Sequence, residues 1–572
     1  MLIGLVAALT VVTWGTWGDL DSDTGFDVQA GTRLADGQIP YRDFIYYYGP
    51  LAPFLTAFAA LAGGAGFGPA ILLGFLITLA IIAATYAVTR TLAGPLAALI
   101  ASTITAAVAF IPDDYNYVLP HTGDATLGTL ILLGVLLAVR RYAVSASPRW
   151  SLAIGSLLGL LALTKPEPAI AGFIGVATWL ALRRRAGIAS RGEIIRVAGP
   201  AVLIPGLVYG SFMAIVTPDR LLFENLYPRE FLAENPLVTV RLPLDAHSFI
   251  QLGGKLALYA LGVAAIAGAA TLLTRQGRVR PALVGVLAAG LVVAVTASLI
   301  RPEAMRHGLE FAYGWIPAGA AIAAVMLTWR LSKRTDGLTA QRQVELAGIV
   351  ALTVYAATSY PAFFPHAPYE QIAVYAMPLA AIFMVRLHLG TFARNGPAYA
   401  LGVVWLAFLA SAGLGLTIKD ARLDAVTVHG AGGSLAETRN EAALYQGALA
   451  WIERTTSPDE PIFVAPLMPA LYTLSERTNP TEQLSVLPGS LTASGEAQTI
   501  AALEEAGTRL VITDDREWHV YGHGAFGDTF DRTLAAWISR HFERVAVLRS
   551  PPWHSFEGDI PPRQLFIWLK RR

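Results

Sequence analysis

Pro69-Ala-Ile-Leu-Leu-Gly-Phe-Leu-Ile-Thr-Leu-Ala-Ile-Ile-Ala-Ala-Thr-Tyr-Ala-Val-Thr89 carries no charge, and Arg90 ends it. A helix rises about 1.5 Å per residue, so this stretch is long enough for a hydrocarbon core roughly 30 Å thick. Outward in both directions the pattern recurs. Candidate spans fall at 2–18, 92–111, 123–139, 151–165, 168–182, 197–216, 251–274, 281–299, 311–329, 343–359, 371–387 and 398–417. With 69–89 they make about thirteen crossings. Lys165-Pro-Glu167 interrupts the pair 151–165 and 168–182, where one re-entrant hairpin is the alternative. Met1–Trp17 lacks a basic leader and a small-residue cleavage site, so it reads as a first span and not a removed signal peptide.

Composition agrees with this reading. The 572 residues are 54% hydrophobic and 15% charged, against about 25% charge in a typical soluble domain. Charge is scarce up to about residue 416 and near normal beyond it. There are no cysteines, which excludes disulfides, thiolate nucleophiles and Cys-ligated metals. The net charge of +1 does not select a partner class.

Arginine and lysine collect in cytoplasmic loops of membrane proteins. Here alternate connections carry Arg90; Arg140, Arg141 and Arg149; Arg183, Arg184, Arg185, Arg191 and Arg196; Arg275, Arg278 and Arg280; Arg330, Lys333, Arg334 and Arg342; Arg386 and Arg394. The alternation holds throughout if the short apolar stretch Leu51–Ala62 lies in the interface and does not cross. An inside N-terminus and an odd span count then put 418–572 outside. That tail alternates helical stretches (443–452, 497–505, 530–542) with strand-like ones (461–466, 509–514, 544–548, 564–569). The expected fold is a polytopic α-helical membrane body over 1–417, with a first outer loop at 19–68, and an extracytoplasmic α/β domain over 418–572.

That first loop is the most informative segment. It reads Gly18-Asp-Leu-Asp-Ser-Asp-Thr-Gly-Phe-Asp27 and later Tyr41-Arg-Asp-Phe-Ile-Tyr-Tyr-Tyr-Gly-Pro50. Ser22 or Asp23 is placed to cap a helix reaching Leu34, with Phe26, Ala30 and Leu34 on one face and Gly37 as its stop. Asp23 and Asp27 then face the same way, one turn apart. Clustered carboxylates beside a membrane repel one another, which raises one pKa and makes a better general base. The plainer reading is a solvated acidic loop that helps to set topology.

Asp23-Thr-Gly-Phe-Asp27, Gly37, Pro40-Tyr-Arg-Asp-Phe44 and Tyr48-Gly-Pro50 together resemble the first-loop pattern of GT-C glycosyltransferases. These include the protein O-mannosyltransferases, the aminoarabinose transferases of lipid A and a bacterial dolichyl-phosphate-mannose mannosyltransferase-like branch. The resemblance implies about thirteen spans, an outer C-terminal domain and a catalytic Asp in the first loop. The best-known members have Asp-Glu at that position, where this chain has Asp23-Thr24. The resemblance therefore places the base at Asp23, with Asp21 as the rival, Asp27 in support, and Arg42, Asp43 and Tyr48 as substrate contacts.

Asp124 stands at the mouth of a span after Pro112-Asp-Asp-Tyr-Asn-Tyr-Val-Leu-Pro-His-Thr-Gly123. It suits a helix N-terminal cap. The resemblance also implies contact with sugar or acceptor. In Leu163-Thr-Lys-Pro-Glu167, charges beside hydrocarbon are either paired or functional. Lys165 pairs with Glu167 or snorkels in one reading, and binds the lipid phosphate in the other. Arg229, Arg301, Arg306 and His307 are further cations for a leaving phosphate, or ordinary interfacial residues. Asp514-Asp-Arg-Glu-Trp-His519 has no diagnostic metal spacing and reads as a solvated loop.

The function expected is transfer of a sugar from a polyprenyl-phosphate donor to an acceptor hydroxyl on a glycan, lipid or protein, with inversion, at the outer face of the cell inner (plasma) membrane. The scheme requires no cofactor and leaves a divalent metal open. Membrane lipids are partners and nucleic acid is not. There is no P-loop or dinucleotide fingerprint. A transporter or flippase of a lipid-linked glycan is the alternative, although mid-span charges and repeated halves are not found. A membrane-anchored scaffold is the third reading, and it would make the acidic loops expendable.

Overall fold

The computed structural model describes residues 1–18, 20, 24–112, 116–235, 250, 253–254, 257, 261, 279–301, 324–326, 328–329, 370–392, 396–420, 425–491, 493–551, 553–555, 558–560 and 562–571. The body begins with α1 (Leu2–Thr13), α2 (Thr24–Ala35), α3 (Leu51–Gly63), α4 (Phe67–Ala93) and α5 (Pro95–Ala109). It continues with α6 (Gly123–Ser145), α7 (Pro148–Leu161), α8 (Pro166–Arg185), α9 (Arg191–Met213), a π-helical turn Arg220–Leu226 and α10 (Arg229–Glu234). Three further helices are α11 (Val279–Ile300), α12 (Glu370–Phe392) and α13 (Gly396–Asp420).

Among the described residues, three helices are long and apolar enough to cross a membrane: α4, α6 and α9. The apolar helices α1, α3 and α5 are shorter. The stretch expected as one span over 2–18 differs from expectation. Its helix stops at Thr13, about 18 Å long. Thr10 and Thr13 turn their hydroxyls back onto carbonyls four residues earlier, and Gly15 takes φ +80°. Leu51–Ala62 forms the helix α3. Positions 151–165 and 168–182 become two helices, α7 and α8, broken over 162–165. Expected spans 343–359, most of 311–329 and most of 251–274 lie outside the described residues.

Small residues bring these helices close. A Cβ on Gly74 would strike the Val118 carbonyl, joining α4 to the loop before α6. On α7, Gly155 and Gly159 sit against the Val197 and Pro200 carbonyls of α9. Ser190 accepts from Glu193 N to cap α9, and Glu193 in turn pairs with buried Arg183 of α8 at 2.8 Å.

Beyond residue 424 the chain is α/β. A hairpin pairs β1 (Ala425–Gly430) with β2 (Gly433–Thr438). The helices are α14 (Arg439–Thr455), α15 (Ala470–Ser475), α16 (Ala493–Glu505) and α17 (Arg532–His541). The strands are β3 (Ile462–Ala465), β4 (Leu510–Asp514), β5 (Phe542–Arg549), β6 (Trp553–Ser555), β7 (Gly558–Ile560) and β8 (Gln564–Lys570). The sheet order is β3-β4-β8-β5, with β3 and β4 parallel and the other pairs antiparallel. Every residue of the edge strand β3 and of its neighbour β4 is buried, so this side of the sheet is covered on both faces.

This region sits directly on the first loop. Phe67 N donates to Gly432 O at 2.9 Å, and Ile45 N donates to Glu482 O at 2.8 Å. A Cβ on Gly25 of α2 would lie 2.3 Å from Ala470 N. Helix α2 is therefore enclosed, with α3 on its other side where Gly31 meets Thr56.

Candidate active site

The first-loop helix forms where the sequence places it, ending before Gly37 at φ +89°. Its environment differs from the one-faced amphipathic expectation, because nearly every side chain from Thr24 to Gly31 is buried. Asp27, in its first turn, is 8% exposed. Asp21 and Asp23 lie outside the described residues.

Asp27 meets Asp124, which is fully buried. Tyr46 joins them: its hydroxyl is 2.7 Å from Asp27 Oδ1 and 3.0 Å from Asp124 Oδ2. One hydroxyl hydrogen thus faces two carboxylates. Burial, then the charges of Asp124 and Asp27, hold the Tyr46 phenol well above its ordinary pKa, so it keeps its proton at neutral pH. Tyr46 is fixed from behind by Asn225 Oδ1, which accepts from its backbone N at 2.9 Å.

The two acids also cap helices, crosswise. Asp27 Oδ2 accepts from Gly123 N, the first amide of α6. Asp124 Oδ1 accepts from Ala52 N in the first turn of α3, at 3.3 Å. Asp124 is therefore a cap, as its position at a span mouth suggests, but of a neighbouring helix and not its own. Both carboxylates satisfy amides that a helix N-terminus leaves open.

Tyr48-Gly-Pro50 and Leu163-Thr-Lys-Pro-Glu167 come together. Leu51 N donates to Leu163 O at 3.1 Å, and a Cβ on Gly49 would overlap that same carbonyl. The approach places Lys165 Nζ 4.4 Å from the centre of the Tyr48 ring and within electrostatic reach of Asp124. Among the described residues no ion pair joins Lys165 to Glu167, so the pairing considered from the sequence is not formed. Glu167 Oε2 is buried without a hydrogen-bond partner.

Other expected contacts stand apart. Arg42 and Asp43 form a two-pronged pair at 2.7 and 2.8 Å, and this guanidinium holds the Asp43 carboxyl below its ordinary range. Arg229 is exposed over the Phe223 ring, and Arg301 is exposed after α11. Arg306 and His307 lie outside the described residues. Among the described residues no group of three or more His, Asp and Glu side chains is arranged to hold a metal.

No protein-family model matches the chain, and no curated protein does. Among solved structures it is similar to an Archaeoglobus fulgidus oligosaccharyltransferase complexed with zinc and sulfate. The identity is 15% over 98% of this chain and 73% of that one, with a TM-score of 0.48. It is also similar to ArnT from Cupriavidus metallidurans bound to undecaprenyl phosphate, at 14% identity over 99% and 97% and a TM-score of 0.45. The apo form of that ArnT gives 15% identity, the same coverages and 0.44.

Sequence reading missed Tyr46 and Asn225. Tyr46 is one of three consecutive tyrosines, and nothing local singles it out. Asn225 sits in a π-helical turn, a geometry with no sequence signature but one frequent at functional sites.

Proposed function

We propose that this protein is a membrane glycosyltransferase that moves a sugar from a polyprenyl-phosphate donor to an acceptor hydroxyl, with inversion, on the outer face of the inner membrane. The observation that carries the reading is the convergence of three separate motifs. The first-loop acid Asp27, the span-mouth acid Asp124 and the cation Lys165 gather around Tyr46 and Tyr48.

The acceptor oxygen attacks the anomeric carbon as the bond from that carbon to the phosphate oxygen breaks. The acceptor proton passes to a carboxylate, and the lipid phosphate leaves with the bonding electrons. Asp27 is poorly suited to take that proton, because both its oxygens already accept hydrogen bonds from Tyr46 and Gly123. It supports the loop, and Asp23 takes the proton, with Asp21 as the rival. Lys165, without an ion pair to any described carboxylate, faces the leaving phosphate and stabilises its growing charge.

The test is transfer by purified, lipid-reconstituted protein supplied with a panel of polyprenyl-phosphate sugars and an envelope extract. Loss of transfer in folded Asp23→Asn supports the base assignment. Equal transfer in wild type and variant moves the base to Asp21. Movement of lipid between leaflets without transfer by any donor replaces the enzyme with a transporter.

A further inference from the structure

Aromatic rings run in series away from the acid pair. Tyr46 stacks on Phe26 with centroids 5.5 Å apart, and Phe26 stacks on Tyr47 at 6.2 Å. Tyr47 stacks on Phe231 of α10 at 5.9 Å, Phe231 meets Tyr521 edge-on at 6.0 Å, and Tyr521 lies 5.8 Å from Trp518. The series begins at Asp27 and Asp124 and ends in the C-terminal region. Its middle members Tyr47, Phe231 and Tyr521 are half-buried and border solvent, whereas Tyr46, Phe26 and Trp518 are buried.

At its far end four buried side-chain atoms have no hydrogen-bond partner: Trp518 Nε1, Asn235 Oδ1, Ser490 Oγ and Asp531 Oδ2. They share one neighbourhood. Asn235 Nδ2 donates to Pro488 O at 2.7 Å, and Ser490 N donates to Leu487 O at 2.9 Å. Leu487, Trp518 and Phe530 form one apolar cluster, against which Phe231 and Tyr521 pack. Asp531 follows Phe530 and feels the charge of Glu234, the neighbour of Asn235.

A buried polar atom left without a partner is costly, so four together call for an external partner. That partner's chemistry can be read from the atoms. An indole N–H only donates, an amide oxygen only accepts, and a serine hydroxyl does both. Burial, reinforced by Glu496 and Glu234, pushes the Asp531 carboxyl up to about 8, so at neutral pH it still has a proton to donate. The ligand must donate and accept at close spacing beside apolar ring faces and edges. Saccharide hydroxyls do both, and the C–H face of a sugar ring suits an aromatic surface. An anion suits neither Asn235 Oδ1 nor the nearby acids.

We infer that the junction of α10 with the C-terminal region is a saccharide-binding subsite, and that the half-buried rings Tyr521, Phe231 and Tyr47 form the surface along which an acceptor glycan chain approaches the first loop. The acceptor role rests on the proposed transferase activity, whereas the binding does not.

The experiment titrates full-length protein in lipid nanodiscs, without donor, with linear hexasaccharides of glucose, mannose, galactose and arabinose. At least one is expected to bind. Tyr521→Ala and Ser490→Ala are each expected to weaken it about tenfold, the loss of one good contact. Ser490→Ala removes only a hydroxyl that has no partner within the protein, so an unchanged melting temperature shows that its loss of binding is not misfolding. The inference is overturned if no hexasaccharide binds, if both variants bind as wild type does, or if a Ser/Thr-rich peptide displaces the sugar. Transfer activity without hexasaccharide binding removes the subsite alone, and binding without transfer removes the enzyme alone.

Discussion

Tyr46 is the residue on which the acid pair depends. Without its hydroxyl, Asp27 and Asp124 lose the hydrogen that both contact. Tyr46→Phe is expected to lower stability by about 1–3 kcal/mol, seen as a lower melting temperature. A displaced first-loop helix should also reduce transfer by about 10²-fold. Asp531 gives a pH signature. Its carboxyl ionises near 3.8 when unfolded and is raised to about 8 in the fold. The folded chain therefore holds a proton that the unfolded chain releases across that interval. Stability from this group is complete below about pH 4 and is lost as pH rises through about 8. Melting curves from pH 5 to 9 should show Asp531→Asn gaining on wild type as pH rises, with the difference levelling off beyond the folded pKa. Asp27, Asp124 and Lys165 were each legible in the sequence as charges in unusual places. Their convergence was not. The contact between Asp27 and Gly123 spans 96 residues, and the connecting hydroxyl comes from a run of three identical residues.

Helix α2 shows why element position was easier to read than element environment. Its span follows from local signals, an acidic first turn and Gly37 just beyond its end. Its burial on both sides follows from glycines that local signals leave ambiguous. Gly25 lets the backbone at Pro469 and Ala470 approach, and Gly31 does the same for Thr56. Gly25→Ala should force α2 away from α15 at a cost of about 1–3 kcal/mol, read as a fall in melting temperature. Gly68→Ala, at the start of α4 with open space around its Cβ, should be neutral or slightly stabilising. Equal effects of the two substitutions would mean that α2 is not clasped. Strands β3, β4, β5 and β8 were visible as short apolar or β-branched runs. The β1–β2 hairpin was not, because His429, Gly430 and Gly433 dilute its pattern.

The whole molecule tests the proposed orientation. The chain has no cysteine, so any label reports only an introduced one. Asp528→Cys, exposed in the C-terminal region, should react with an impermeant maleimide in intact cells. Arg184→Cys, exposed at the end of α8, should react only after the membrane is opened. The reverse pattern would invert the topology and remove the outer-face transferase. The enclosure of α2 also has a consequence for how the chain is made. Its Arg33 donates to Thr481 O across 448 residues of sequence. A ribosome delivers the acidic loop 448 residues before the part of its second wall that Arg33 contacts. Through that interval the loop waits half-dressed, and the site closes only when the region around Thr481 arrives.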